Sequence, residues 1–494
     1  MTREEIIDDF IKNPDLLLEK EPFTRGADQY VRDVYDTTVG TNGKVKVTLP
    51  TTRRRIVTQE QFMRELDPAC HDCLFDLNIP SICVKVSDND YREVKYERVA
   101  MPFQRIILNK QVQHLTGNPM EFTLMETDPT DEQMRQYQVL KQYWKRRNQD
   151  GMKRRFVEKQ MSLGDAGLLY YMDYKGEIKS RLLSFDKGYV LCPHNDDNGD
   201  RVAEAVYYHS KGRDYIDMYT DRMLYRFVNG VDDTTGETTG WTVAKGYPKE
   251  HGFSEIPLVT KRGDVVWNDA QSIIESWEVL NNVFNAIQKR FGWGLLYIKG
   301  TFASKAQKIA GNVVLNDTSL DGKGDAKFLT PPSPEGTIQT LEKLEKCIKL
   351  AGGATFILPE DVKLSGEIAG ISIQLTQSLD IEKAEQNAIE YQNVADKMLR
   401  LFKEGLSKEL VRKGIDKAAF TEYGKLNVGA SFRIWTPYSK SEYNQMLIQL
   451  KGAGLISTKT GVEKNTESAP DEHARLASEP KETEGTGTTE TIVE

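Results

Sequence analysis

Two stretches in the second half of the chain place apolar residues at alternating intervals of four and three positions. The first stretch carries Ile273, Trp277, Leu280, Phe284, Ile287 and Phe291. The second carries Ala384, Ala388, Tyr391, Ala395, Met398 and Phe402. This spacing is typical of a long α-helix whose apolar residues form one narrow stripe. It therefore predicts long helices over residues 267–291 and 371–403.

A third, shorter helix is predicted from Thr337, after the sequence "PPSPEG", to Gly352. Its apolar face consists of Ile338, Leu341, Leu344 and Ile348. The segment before it, 292–336, has the pattern of a strand, a short helix and two further strands. Two long helices joined by such a small tip bury little surface alone, which favours packing against further copies of the chain. A helical bundle within one chain is the alternative.

The first half of the chain mixes helical and strand patterns, so the predicted fold class is α+β. Short helices are predicted within residues 1–35, with an apolar face of Ile6, Ile7, Phe10 and Ile11. A long helix ends at Gly117–Pro119, which form a stop signal, and one further helix is predicted over 131–164. Between 165 and 260, short aromatic and β-branched runs separated by turn signals predict a mostly antiparallel sheet.

Composition excludes two broad classes of protein. The formal net charge is −8, whereas a protein that binds nucleic acid by neutralising phosphates needs clustered Lys and Arg. The protein as a whole is therefore not a basic nucleic-acid binder. No apolar run reaches the length of a membrane span, and the start, "MTREEIIDDF", is not a signal segment. We therefore expect no membrane partner. Five cysteines are few and odd in number, which indicates free thiols in a reducing compartment.

Motifs of common enzymes are missing from the sequence. It contains no phosphate-binding Walker loop, nucleophile elbow or zinc-protease motif. Cys70 and Cys73, with His71 between them, form one thiol pair. Cys83 could add a third ligand, but a structural zinc site needs four. We therefore predict no catalytic residue, no metal and no cofactor.

An acidic stretch and three basic clusters can each be interpreted either as a structural feature or as a binding site. The stretch His194–Asp200 resembles a calcium loop but lacks the Glu at its twelfth position, whereas its Asn-Gly pair predicts a β-turn. The basic clusters at 145–147, 153–155 and 53–55 indicate solvated faces near helix ends. Contact with phosphates is the alternative interpretation.

A glycine-rich, charged segment interrupts the most regular part of the chain between Leu350 and Gln374. Its glycines are Gly352, Gly353, Gly366 and Gly370. Its charged residues near the middle are Glu360, Asp361, Lys363 and Glu367. Because Lys363 is the only basic residue, the segment is net acidic. Glycine tolerates many backbone conformations, so the sequence predicts a flexible acidic loop between two helices.

Five short motifs, in one order along the chain, resemble those of the portal (head-to-tail connector) proteins of tailed double-stranded-DNA bacteriophages. They are "HLTGNP" at His114–Pro119, "GDAGLLYYMDYKGEI" at Gly164–Ile178, "HGFSEIPLVTKRGD" at His251–Asp264, "SGEIAGISIQ" at Ser365–Gln374, and "GLIS" with "DEHARLASE" between Gly454 and Glu479. Three positions depart from the family pattern: Ala369 stands where Ser is common, Ser372 where Ala is common, and Lys459 where Glu is usual.

The resemblance implies a portal-like architecture in which twelve subunits form a ring. Its parts would be a wing at 1–266, stem helices at 267–291 and 337–352, a small α/β clip at 292–336, a tunnel loop at 353–370, a long wing helix and return at 371–437, a helical crown at 438–480 and a disordered tail at 481–494. The stem stripes named above would pack subunits together.

The resemblance also implies the function. The ring would sit at one capsid vertex of the virion, assembled in the host cytoplasm, as the channel for genome packaging, retention and ejection. Implied partners are double-stranded DNA, the terminase packaging motor, a neck or tail adaptor, and the major capsid and scaffold proteins. An acidic tunnel loop suits weak contact with DNA of any sequence, because tight phosphate binding would stall translocation.

Two other functions stay open at this point. One is a scaffold or interaction protein of the phage head module, with an intrachain coiled coil and no channel. The other is a metal-dependent nucleic-acid-processing protein that uses Cys70, His71, Cys73 or the loop at 194–200. Metal analysis distinguishes the metal-dependent protein from a portal. Deletion of residues 353–370 distinguishes the scaffold from a portal.

Overall fold

Helical regions and blocks of antiparallel sheet alternate along the chain in the computed structural model of the protein. The structure describes residues 2–27, 37–39, 45–47, 54–75, 82–87, 90–94, 98–231, 238–291, 295–299, 307–309, 312–314, 325–329, 333–355, 377–415, 426–436, 440–458 and 461–462. The contacts divide the chain into two units. They are Met1–Phe356 with Leu379–Trp435, and Ile357–Ser378 with Thr436–Glu494.

Among its described residues, the N-terminal part contains one α-helix, a 3-10 helix (Pro14–Leu18) and two strand pairs. Helix α1 (Arg3–Lys12) begins with a capping box, in which Thr2 and Glu5 satisfy each other's backbone N–H. As predicted, the face of Phe10, Ile6, Ile7 and Ile11 packs inward. The strands are β1 (Phe23–Ala27), β2 (Thr37–Val39), β3 (Val45–Val47) and β4 (Arg54–Val57). Because β1 pairs with β4, the prediction of helices within 1–35 is wrong for Phe23–Ala27.

The next elements lead to a central helix. They are α2 (Gln59–Leu66), β5 (Ile82–Ser87), β6 (Asp90–Val94), α3 (Phe103–Thr116) and β7 (Glu121–Leu124). Thr58 caps α2 by accepting a hydrogen bond from the Gln61 backbone N–H. Helix α3 ends at the predicted stop, since Gly117 follows its last residue. The buried side chains of α3 place it in the main core.

The predicted helix over 131–164 is two helices, α4 (Asp131–Arg146) and α5 (Gln149–Leu163). The break lies at Asn148, whose φ of 50° is left-handed, a conformation that Asn tolerates better than most residues. A Cβ on Gly151 would lie 2.6 Å from Asn148 Oδ1, so the glycine leaves room for the Asn148 side chain. Alternating polar and apolar positions did not reveal this break.

Two antiparallel sheets fill the region predicted to be β-rich. Its strands are β8 (Asp165–Met172), β9 (Ile178–Leu183), β10 (Tyr189–Asn195), β11 (Arg201–Ser210), β12 (Arg213–Tyr219), β13 (Met223–Val231), β14 (Thr238–Val243), β15 (Lys249–Glu250) and β16 (Leu258–Arg262). One sheet has the order β16-β8-β9, and the other runs from β10 to β14 with β15 beside β13. The antiparallel prediction is confirmed.

The loop between β10 and β11 is a hairpin turn, as the Asn-Gly pair predicts. Asp196 Oδ1 accepts hydrogen bonds from the backbone N–H of Asn198 and Asp200, each at 2.9 Å. Gly199 has a φ of 89°, which glycine adopts without strain. The Asp196 carboxylate therefore stabilises the turn.

The described residues of the segments predicted to form the stem and the clip include two helices and four strands. They are α6 (Gln271–Phe291), β17 (Leu295–Lys299), β18 (Gln307–Ile309), β19 (Asn312–Val314), β20 (Asp325–Leu329) and α7 (Glu335–Gly352). Strand β17 pairs with β20 and β18 with β19, and α6 packs against α7. In the described residues between the two helices there are four strands and no helix. The predicted short helix of this segment is therefore not among them.

Two further helices are described, α8 (Ser378–Glu390) and α9 (Gln392–Arg412). Strand β21 (Val428–Ser431) comes after them and pairs with β7. The prediction of one helix ending at Lys403 is wrong, because the chain turns at Tyr391 and α9 continues to Arg412. The predicted stripe is confirmed: apart from the half-buried Ala388, its residues are all buried in the structure.

The second unit contributes α10 (Lys440–Gly452), within the segment predicted to be the crown. The positive φ of Gly454, 73°, follows the helix end, as expected for a glycine after a C-terminus. Neither α10 nor another helix in the described parts of the chain is long and apolar enough to cross a membrane.

Candidate functional site

Helix α6 has a buried face that is largely polar near its first turns. Gln271, Glu278 and Asn282 are buried there together with Ile274. Their spacing of three and four positions puts them on one side of the helix. The predicted apolar stripe lies on a different side, so the helix has two inward-facing surfaces of different chemistry.

On the buried polar face of α6, Glu278 and Asn282 bond to His71 and to residues just before α3, and Gln271 accepts a hydrogen bond from Gln104 of α3. Glu278 Oε1 accepts hydrogen bonds from His71 Nδ1 at 2.7 Å and from the Met101 backbone N–H at 2.9 Å. The Asn282 amide donates to the Val99 carbonyl at 3.0 Å and accepts from the Val99 N–H at 2.8 Å. These bonds fix the first half of α6 to the body of the same chain.

The surroundings of His71 favour its positively charged form. Its Nδ1 contacts the Glu278 carboxylate and its Nε2 contacts the Glu65 carbonyl oxygen at 2.8 Å. A carbonyl and a carboxylate are acceptors, so this pair of partners favours the protonated imidazole, in which both ring nitrogens donate. Burial opposes protonation, but the hydrogen bond and charge of Glu278 outweigh it and raise the pKa of His71.

The two thiols of the predicted pair differ in burial, since Cys73 is buried and Cys70 is half-buried. Burial raises the pKa of Cys73 to about 12. Both His71 nitrogens are already hydrogen-bonded. Among the described residues, no group of three or more His, Cys, Asp or Glu is arranged to hold a metal ion. That the protein binds no metal stays a prediction, which metal analysis of the purified protein can test.

A cavity of about 630 Å³ lies beside these residues, between α2 and α6. Its walls include Arg64 of α2, Asp72, and Glu275 and Val279 of α6. Arg64 Nη2 donates to Asp72 Oδ1 at 2.8 Å, and both side chains are largely exposed. A pair this exposed contributes little to stability. The lining also includes the buried side chains of Glu65, His71 and Glu278, which hydrogen-bond within the chain.

The predicted stem stripe changes from buried to exposed along the two helices. Ile273 and Trp277 pack against the main core and Ile348 is fully buried. Leu280, Phe284, Leu341 and Leu344 are half-buried. Ile287 is 38% exposed and Ile338 is 42% exposed. The chain thus covers one end of the stripe with its own core and leaves the other end partly open.

The end of α7 is packed against α3 and α8. Gly352 is buried, and a Cβ there would lie 2.6 Å from Ile107 Cδ1. Gly353 has a φ of 54°, and its carbonyl accepts a hydrogen bond from the Gln111 amide. Lys383 Nζ donates to the Ala351 carbonyl at 3.3 Å. These two glycines therefore occupy a close helix contact and a helix C-terminus.

The other predicted loop residues lie outside the described residues. They are Glu360, Asp361, Lys363, Gly366, Glu367 and Gly370. Their role in contact with DNA stays a prediction. The structure does describe both flanks of this segment, Thr355 on one side and Asp380 on the other, and these residues contact each other.

The basic clusters have separate environments. Lys145 and Arg146 end α4 as expected, and Arg147 pairs with Glu409 at 2.8 Å. The interpretation of 153–155 as a solvated face is wrong for Lys153, which is fully buried and donates to the Asn118 carbonyl at 2.8 Å. An amphipathic pattern did not reveal this, because a long Lys can reach a buried carbonyl. The side chains of 53–55 lie outside the described residues.

Several residues that hold this region together were missed by the sequence reasoning. They are Gln111, Glu278, Asn282 and Asp380, which are all buried. The available signal was a polar residue repeated at helical spacing beside an apolar stripe, as at 271, 278 and 282. That pattern usually indicates a solvated face, so partners distant in sequence were needed to interpret it.

Comparison with known proteins identifies a family to which the sequence is similar. A family described as "Phage portal protein, SPP1 Gp6-like" matches residues 78–486. No curated protein matches the sequence. Among solved structures, a chain titled "Neck of empty GTA particle computed with C6 symmetry" is similar, with a TM-score of 0.35 and 12% identity, over 73% of this chain and 88% of that chain.

Proposed function

Because the chain belongs to the SPP1 Gp6-like phage portal protein family, we propose that it assembles into a ring of twelve subunits at one vertex of a phage capsid. The ring forms the channel through which the genome is packaged, retained and ejected. It docks the terminase motor during packaging and a neck or tail adaptor afterwards. The major capsid and scaffold proteins surround it during assembly in the host.

The observation that carries this proposal is the open end of the apolar stripe on α6 and α7. Ile287 and Ile338 stay about two-fifths exposed, on helices that are otherwise packed against each other. Exposed apolar residues along a helix pair are the kind of surface that a further copy covers. A head-to-tail contact of this type closes into a ring when the rotation between copies is right.

The parts of the ring follow the boundaries expected from the sequence. Residues 1–266 form the wing, 267–291 and 337–352 the stem, and 292–336 the clip. The segment 353–370 forms the tunnel loop, and 438–480 the crown. In this arrangement α6 is rooted in the wing by Glu278 and Asn282, which supports a stem that bears load along the channel axis.

Catalysis is left to a partner in this proposal. Portal proteins are structural, and ATP hydrolysis belongs to the terminase motor. The acidic residues Glu360, Asp361 and Glu367 repel phosphates, so the loop guides DNA without holding it. This limits friction during translocation.

Replacing residues 357–370 with a Gly-Ser linker of equal length tests the proposal. The flanks that pack against α3 stay intact in this variant. We expect rings to form as in the wild type, while phage particles that carry the variant contain at least tenfold less DNA. Normal DNA content in those particles would contradict the channel function.

A further inference from the structure

The chain crosses the boundary between its two units three times, and the described residues of the first unit beside each crossing bond to helix α3 or to one another. The first unit ends at Phe356, resumes at Leu379 and ends again at Trp435. The residues flanking these points, Thr355, Asp380 and Trp435, are described, and each is in contact with α3 or with another of the three.

Asp380 joins the two flanks of the segment 356–376. The Thr355 backbone N–H lies 2.8 and 2.9 Å from the two carboxylate oxygens of Asp380. The Thr355 hydroxyl donates to Asp380 Oδ1 at 2.9 Å. Asp380 is fully buried, so these bonds are shielded from water and the carboxylate is an expensive group to leave without them.

Helix α3 holds both flanks from the other side. Gln111, which is fully buried, donates to the Gly353 carbonyl and, at 3.3 Å, to the Asp380 carbonyl. One turn later, His114 Nε2 lies 3.9 Å from Asp380 Oδ2. The same His114 donates through Nδ1 to the Trp435 carbonyl at 2.9 Å, and the Trp435 N–H donates to the His114 carbonyl at 2.6 Å.

We infer that Thr355, Asp380 and Gln111 are positioning residues that fix where the segment 356–376 begins and ends. This inference rests on the proposed function, in which that segment contains the tunnel loop. Because its two ends are bonded to each other and to one helix, every subunit of a ring presents the loop from the same point. We refer to these three residues as the crossing clamp.

The clamp matters for function because a loop in a channel works only at a defined position. DNA moving through the ring pushes on each loop along the channel axis. With the clamp, this force is borne by buried hydrogen bonds to α3. Without it, the loop shifts along the channel, and we expect loss of retained DNA while the ring itself still forms.

The test uses Asp380→Asn and Thr355→Val in the full chain, with Thr340→Val as the matched control. Thr340 lies on the exposed face of α7, and its hydroxyl donates to the Gly336 carbonyl at 2.8 Å. Amide hydrogen exchange at Thr355 reports the clamp directly. Losing charge-assisted bonds makes exchange there roughly tenfold to a hundredfold faster in Asp380→Asn, with Thr340→Val unchanged.

DNA content of phage particles reports the positioning role. We expect rings of normal size and at least tenfold fewer DNA-filled particles for Asp380→Asn and Thr355→Val. Exchange at Thr355 equal to that of Thr340→Val, or normal DNA content despite fast exchange, overturns the inference. If Asp380→Asn does not fold, the milder Thr355→Val decides by the same two readouts.

Failure of the inference and of the proposed function are separate results. If the linker replacement of 357–370 abolishes packaging but the clamp variants package normally, only the clamp inference is wrong. If the linker replacement packages normally, the proposed function itself is wrong, whatever the clamp variants do.

Discussion

Helices α6 and α9 carry apolar stripes of the same spacing, but the chain covers them to different extents. In α9 and the end of α8, the stripe from Ala384 to Phe402 is buried almost throughout. In α6 the stripe passes from the core at Ile273 to an open end at Ile287. An identical pattern therefore serves an intrachain core in one helix and, in our account, a contact between copies in the other.

The largest expected effect comes from removing an aromatic side chain from each stripe. Phe402 is fully buried, so Phe402→Ala should lower the free energy of unfolding of the unassembled chain by about 3–5 kcal/mol. Phe284 is only half-buried, and Phe284→Ala should cost less than half as much. Chemical denaturation of dilute protein measures both. Equal losses would show that one chain covers both stripes.

The buried charge pair at the root of α6 should give the next largest effect. Glu278→Gln removes the partner of the buried His71 charge, and we expect a loss of roughly 3 kcal/mol at pH 6. Denaturation at pH 6 checks this value. Asp72→Asn, in an exposed pair, is the control and should change stability by less than about 0.5 kcal/mol.

The same pair predicts a pH dependence with a definite sign. The pKa of His71 is raised in the folded chain. The pair's contribution to the free energy of unfolding is therefore complete below the pKa of the unfolded chain, about 6.5, and is lost as the pH rises through the pKa of the folded chain. The stability difference between wild type and Glu278→Gln should therefore shrink as the pH rises from 6. A difference that grows with pH would mean that His71 is neutral.

Two glycines at opposite ends of α7 sharpen the comparison further. A Cβ at Gly352 would lie 2.6 Å from the buried Ile107 side chain, whereas nothing lies within 4 Å of a Cβ at Gly336. Gly352→Ala should cost about 1–3 kcal/mol. Gly336→Ala should be neutral or stabilising by up to about 1 kcal/mol. Thermal unfolding distinguishes them, and similar values would place the end of α7 away from α3.

The smallest effect on stability is expected at the open end of the stripe. Ile338→Thr should change the free energy of unfolding of the dilute chain by less than about 0.5 kcal/mol, as at most surface positions. A loss above about 2 kcal/mol in the same denaturation experiment would mean that the chain covers Ile338 itself in solution.

Much of the fold could be predicted from the sequence, because amphipathic spacing and turn residues act locally. The β-rich region, the stop after α3 and the stripe of α9 follow from such signals. The breaks at Asn148 and Tyr391 do not, since the apolar spacing continues through both. The clamp of Thr355 and Asp380 joins residues 25 positions apart, and no local pattern marks such a pair.

The candidate site could be predicted only in part, for a related reason. Periodicity identified the residues of the α6 and α7 stripes, but it could not tell which of them the chain covers. Exposure of Ile287 and Ile338, and burial of Ile348, depend on where α3 and the sheets lie. The burial of Glu278 likewise depends on the position of His71, which is distant in sequence.

Native mass spectrometry at micromolar concentration tests the central claim most directly, with wild type, the double variant Ile287→Asp and Ile338→Asp, and the exposed-site control Gln339→Asp. We expect wild type and control to form closed rings near twelve subunits and the double variant to remain a folded monomer. A monomeric wild type, or rings of the same size from the double variant, would contradict the account.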